Sequence, residues 1–96
     1  MGATFIYITA AGDHDPVESF RAEREYDLHE HGHSPYSGTF GTMTGVSVNR
    51  TALFESFAEA ESFVEANTEK WKKALAVRYR DNNAEERWFI GGWAAC

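Results

Sequence analysis

Histidine is the residue of this chain best suited to chemistry near neutral pH, and three of the four histidines alternate at His29, His31 and His33. The fourth, His14, stands between Asp13 and Asp15. Alternate spacing is poor for a metal. On a helix, positions 29 and 33 share a face while 31 points away, and Gly32 is a natural helix stop between them. A metal site would need Asp27, Glu30 or His14 to converge on the cluster, so no metal is assigned. Histidines at a helix end also suit the negative pole of its dipole.

The stretch His31-Gly32-His33-Ser34-Pro35-Tyr36-Ser37-Gly38-Thr39 is the most unusual in the chain. Glycine allows close backbone approach. Tyr36 offers a stacking face, and Ser37 and Thr39 offer hydroxyls beside exposed amides at Gly38. Such a loop can cradle an anion or a nucleotide-like ligand. The same residues also make a well-bonded turn. Ser34 or Ser37 with a nearby histidine would form a nucleophile and base only if a third group oriented the pair. No nucleophile elbow, phosphate loop, dinucleotide fingerprint or His-Glu-x-x-His pattern occurs. No catalytic residue or cofactor is therefore assigned, and the reading favours a protein that is not an enzyme.

His31-Gly32 followed by Tyr36-Ser37-Gly38-Thr39-Phe40 resembles a segment of small, uncharacterised phage and prophage proteins. In those, a His-Gly pair and a Tyr-(Thr or Ser)-Gly-Thr-Ile run follow an acidic helix. Arg24-Glu25-Tyr26 fits that arrangement, and Trp88 to Trp93 is similar to the Trp-Gly-rich strand that often ends the family. Phe40 replaces an aliphatic residue, and the charged residues that often follow the motif are absent. The resemblance covers about a third of the chain. It implies a phage context and no particular activity.

The elements that must position these residues are legible from pattern. Thr4–Thr9 is β-branched and aromatic, apolar on both faces, and reads as a first and central strand. Asp15-Pro16-Val17-Glu18 is a helix start, and a helix is expected from Pro16 to about His31. Val17, Phe20, Arg24 and Leu28 lie along its inner side. Thr39 to Asn49 alternates and reads as a second strand weakened by glycines. Ser56-Phe57-Ala58-Glu59 fits a capping box, opening a second helix from about Phe57 to Asn67 or beyond. Ala74–Arg80 and Arg87–Ala95 read as a hairpin turning at Asp81-Asn82-Asn83. The expectation is a single α+β domain over residues 1–96. Its order is β-α-β-α-β-β, with an antiparallel or mixed sheet and both helices on one face.

Composition limits the function classes. The 96 residues are 43% hydrophobic and 15% aromatic, enough for a packed core. Fifteen acids against nine bases give a net charge of -6, which disfavours direct nucleic-acid binding and suits a basic protein partner. Cys96 is the one cysteine, so an internal disulfide is excluded. With no leader-like segment and no run near the ~18 apolar residues of a membrane helix, a cytoplasmic protein is expected, in the host cytoplasm if phage-encoded.

Two surface features complete the reading. Glu61, Glu65 and Glu69 form a like-charged i, i+4 row, which costs a little helix stability and would suit a basic partner. Trp88 and Ile90 share one face of the last strand, with Phe89 and Trp93 on the other. One set is core. The other is covered by a second copy or by the Met43–Arg50 segment, or it is an exposed partner site. The leading expectation is a non-catalytic phage-type protein that binds and inhibits a host immune factor through the acidic row and an aromatic strand. The alternative is a binder or sponge for a nucleotide-like ligand, or a small enzyme, built on His31–Thr39. Arg21, Arg24, Arg78 or Arg80 would supply its positive charge.

Overall fold

The computed structural model describes residues 3–31, 43, 45–69 and 72–95, with backbone alone for 28–31 and 95. The elements are β1 (Ala3–Ala11), α1 (Pro16–His31), β2 (Val46–Phe54), α2 (Phe57–Ala66), β3 (Ala74–Arg80) and β4 (Glu86–Ala95). They form an α+β structure around one mixed sheet of order β1-β4-β3-β2. β1 and β3 each pair with β4 antiparallel, and β2 pairs with β3 in parallel. No described helix is long and apolar enough to cross a membrane.

Local chemistry explains the element ends. The Asp15 carboxylate accepts the Val17 amide at 2.9 Å and starts α1 ahead of buried Pro16. Ser56 Oγ accepts the Glu59 amide at 3.2 Å, and the Glu59 carboxylate accepts the Glu55 amide at 3.2 Å. At the other end of α2, Asn67 Nδ2 donates to the Phe63 carbonyl at 2.7 Å and Thr68 Oγ1 to the Val64 carbonyl at 2.7 Å. These bonds satisfy the last free carbonyls and stop the helix at Ala66. The β3–β4 turn is tied by Asp81, whose carboxylate accepts the amides of Asn83 and Glu85 at 2.8 and 3.0 Å.

Strand alternation divides the core in two. Phe20 of α1 packs with Met43, Ala74, Ala76, Trp88, Ile90 and Ala94 on one face. Ala60 and Val64 of α2 pack with Val77, Tyr79 and Phe89 on the other. The expected placement of both helices on one face is thus corrected: each covers its own face. The reason is topological. β1, β2 and β3 run the same way, so β1-α1-β2 and β2-α2-β3 are both parallel crossovers. The first crosses the sheet outward and the second steps back. Right-handed connections then require opposite faces. Both faces of β4 are accordingly core, and Met43 itself, 2% exposed, helps cover the Trp88 face.

β1 is an edge strand, not the central one its double-sided apolar pattern predicts. Its faces are occupied nonetheless: Ile6, Ile8 and Ala10 join the α1 side, and Phe5 joins the α2 side. β2 is described from Val46 and continues past the expected Asn49 to Phe54, while most of the expected Thr39–Thr44 part lies outside the described residues. Val48 stands opposite Ala76 and Leu53 opposite Arg78, so β2 carries a wide bulge. Asn49 builds it, its side-chain oxygen accepting the Thr51 and Ala52 amides at 3.0 and 3.1 Å.

Candidate interaction surface

The sequence-predicted site residues fall into two groups. His31 closes α1, and its side chain lies outside the described residues, as do Gly32, Tyr36, Ser37, Gly38 and Thr39. The acidic row is described throughout. Glu61 is half-buried on α2, and Glu65 is exposed one turn later. Glu69 is also exposed, but it lies past Asn67, the residue that caps α2. The expected three-residue helical row is corrected to two carboxylates on the helix and one beyond its end. Glu69 moreover lines a cleft of about 660 Å³ with Lys72 and Lys73.

Glu65 keeps different company. The Trp93 indole N–H, from the last turn of β4, donates to the Glu65 carbonyl oxygen at 3.0 Å. Trp93 is half-buried, and its ring tilts against Phe5 of β1 with centroids 5.6 Å apart. Ser62, Glu65, Ala66 and Trp93 outline a shallow hollow of about 220 Å³. Farther along β1, Tyr7 is 45% exposed while its ring contacts Phe57 and Phe89 at 5.3 and 5.0 Å. α2 packs mainly over β4 and β3 and reaches β1 through the Phe57 ring against Tyr7, which still leaves Tyr7 partly exposed. An exposed carboxylate, an indole edge and two β1 rings therefore share one border. The pairing of Phe89 with Trp93 on one face was legible in the sequence. The adjacency of Trp93 to Phe5 needed the β1–β4 register, which opposes those two residues.

The arginines suggested for an anion site are separated by the fold. Arg21 and Arg24 line a cleft of about 310 Å³ with Phe20 and Val46, where Arg24 Nε donates to the Met43 carbonyl at 3.1 Å. Arg78 lies at the carboxyl end of the parallel strands, in a cleft of about 440 Å³ with Gly12, Asp13 and Arg87. It pairs with Glu86 at 3.2 Å and stacks over Trp88 at 4.9 Å. Arg80 approaches Glu55 at 4.0 Å. Arg21 and Arg24 thus share one cleft and Arg78 and Arg87 another, so the four suggested arginines do not converge on a single site.

Among the described residues, no group of three metal-capable side chains comes together. One ionisable group is visibly perturbed. Partial burial, and then the Asp27 carboxylate one turn on, push the Glu23 carboxyl above its ordinary range. Asp27 itself is buried, which the polar look of that helix turn does not disclose. No family model, no curated protein and no solved structure matches the chain.

Proposed function

We propose that this chain is a non-catalytic interaction protein that binds a basic protein partner through the border formed by Glu65, Trp93 and Phe5. The supporting observation is the 3.0 Å hydrogen bond from the Trp93 indole to the Glu65 backbone carbonyl, which ties the half-buried indole to an exposed acidic residue of α2 with which it lines a shallow hollow. Aromatic anchors flanked by charge are the usual makings of a binding hot spot. A net charge of -6 adds attraction for a basic surface and speeds encounter. The resemblance to phage proteins suggests the biological setting: a phage-encoded protein that inhibits a bacterial host factor, immune effectors included.

The test is parallel affinity capture from a bacterial lysate with wild-type protein and Glu65→Lys. Glu65 is exposed, so charge reversal there leaves the core alone. The expected result is a basic protein retained by wild type at low salt, and lost both on raising the salt and in Glu65→Lys. Identical capture profiles for the two proteins would refute the assignment.

A further inference from the structure

The two edges of the sheet are treated differently by the sequence. β2 carries Arg50 and the bulge between Val48 and Leu53, both of which hinder pairing with another strand. β1 has none of these devices. Its nine residues, Ala-Thr-Phe-Ile-Tyr-Ile-Thr-Ala-Ala, include no charge, no proline and no glycine. Its register with β4 runs unbroken from Ala3 opposite Ala95 to Ala11 opposite Arg87. Among the described residues, the outer side of β1 thus presents a straight row of backbone donors and acceptors. It is the only described strand without a charged residue.

We infer that β1 pairs antiparallel with β1 of a second copy, joining two four-stranded sheets into one of eight strands about a two-fold axis. Charge decides both the occupant and the direction. An uncharged, β-prone strand is matched by another uncharged, β-prone strand, and β1 is itself such a segment. Exposed Asp13 and Asp15 follow its carboxyl end. Parallel pairing would set these acids beside their counterparts. Antiparallel pairing centred on Tyr7 sends the two Asp13 residues to opposite ends, about 40 Å apart at ~3.4 Å per residue. That is several times the ~8–10 Å over which salt screens charges, so the Asp13 pair does not oppose the contact.

The same register accounts for exposed apolar surface. Tyr7 meets Tyr7 of the partner on the axis, an aromatic cross-strand pair that covers its 45% exposed ring. Ile6 falls opposite Ile8 of the partner, extending the α1-side face, and Phe5 falls opposite Thr9. Because the axis is perpendicular to the sheet, the two Glu65–Trp93 borders lie on one side of the dimer. The inference stands apart from the proposed partner: either can fail without the other.

Light scattering and sedimentation of the wild-type chain over a concentration series supply the test, with Thr4→Lys/Thr9→Lys as the comparison. Both threonines are exposed, one on each face of the strand, and a lysine there is a natural edge guard. Wild type is expected at twice 10.8 kDa. The double variant should be a monomer of unchanged circular dichroism, its dimer dissociation constant raised at least about tenfold. A wild-type monomer across the series overturns the inference, as does a dimer that survives both lysines. Hydrogen exchange on wild type gives a reading that needs no variant. Alternate β1 amides, those turned away from β4, should slow as concentration rises, and no concentration dependence there overturns it. A monomer whose β1 amides slow only on adding a foreign polypeptide would give the edge to another protein and likewise overturn self-pairing.

Discussion

Phe89→Ala should be the most damaging truncation on the α2 side of the sheet. The Phe89 side chain is fully buried on β4. Rings of Tyr7, Phe57, Phe5 and Tyr79 surround it at centroid distances of 5.0, 5.3, 6.3 and 6.5 Å. A Phe→Ala change in a core costs about 3–5 kcal/mol, the cost rising with the cavity that remains. Here the cavity is hard to close. The fully buried residues of α2, Ala60 and Val64, are too short to follow the lost ring, and the Phe57 ring is already packed against Tyr7 and Tyr79. The rings at the wall also forfeit offset and edge contacts. The expected loss is therefore in the upper part of the range, about 4–5 kcal/mol, most of the total stability of many domains this size. In urea, with a slope of roughly 1.5 kcal/mol/M, the midpoint should fall by about 3 M. Circular dichroism and tryptophan fluorescence would both report it, since Trp88 and Trp93 sit on opposite faces of β4. Phe89→Leu, which keeps most of the volume, should lose much less. A Phe89→Ala loss under about 2 kcal/mol would show that the ring cluster does not hold α2 to the sheet, and the two-faced core would have to be abandoned.

Two further outcomes follow from particular contacts. At Gly12, an added Cβ would overlap the backbone carbonyl of Glu86, which has no rotamer to escape into. Gly12→Ala should therefore destabilise by about 1–3 kcal/mol despite its benefit in the unfolded chain, and a thermal melt at or above wild type would refute the close approach. Partial burial, and then the like-charged Asp27 one turn on along α1, raise the Glu23 carboxyl above its ordinary range. A raised acid binds its proton more tightly in the folded state, so its contribution to stability falls as pH rises through that range. Glu23→Gln should then stabilise at neutral pH by about 0.2–0.5 kcal/mol, or roughly 1–4 °C. That gain should vanish on acidification through the Glu23 titration, and a gain independent of pH would refute the electrostatic cause.

The elements were legible where signals were local. Asp15-Pro16 marked the start of α1, and Ser56 with Glu59 marked the start of α2. The hairpin strands were placed within a residue because Asp81 and its neighbours form a compact side-chain-bonded turn. β2 continues past its expected end at Asn49 for a local reason that residue types do not announce. The bulge at Asn49 breaks the period-two pattern, so alternation alone does not carry the strand on to Phe54. The acidic row was misjudged at its last member because Asn67 and Thr68 turn their side chains back onto helix carbonyls, an act that composition does not advertise. The His31–Thr39 loop, to which most of the candidate chemistry was assigned, lies outside the described residues apart from the backbone of His31.

The position of β1 is the subtlest of these differences. A strand apolar on both sides signals two covered faces, and it carries no information about its two edges. In this fold the faces of β1 are covered because α1 and α2 lie on opposite sides of the sheet, a consequence of two parallel crossovers in opposite directions. Among the described residues, β4 takes the inner side of β1 and no strand pairs with the outer one. A central-looking composition at a sheet edge is thus produced by the order of elements. It leaves an uncharged strand facing outward while the opposite edge is guarded by Arg50 and a bulge. Selection for a stable monomer would place a lysine or a proline on such an edge. Their absence from β1, with guards present on β2, is the asymmetry that a two-fold pairing of β1 accounts for.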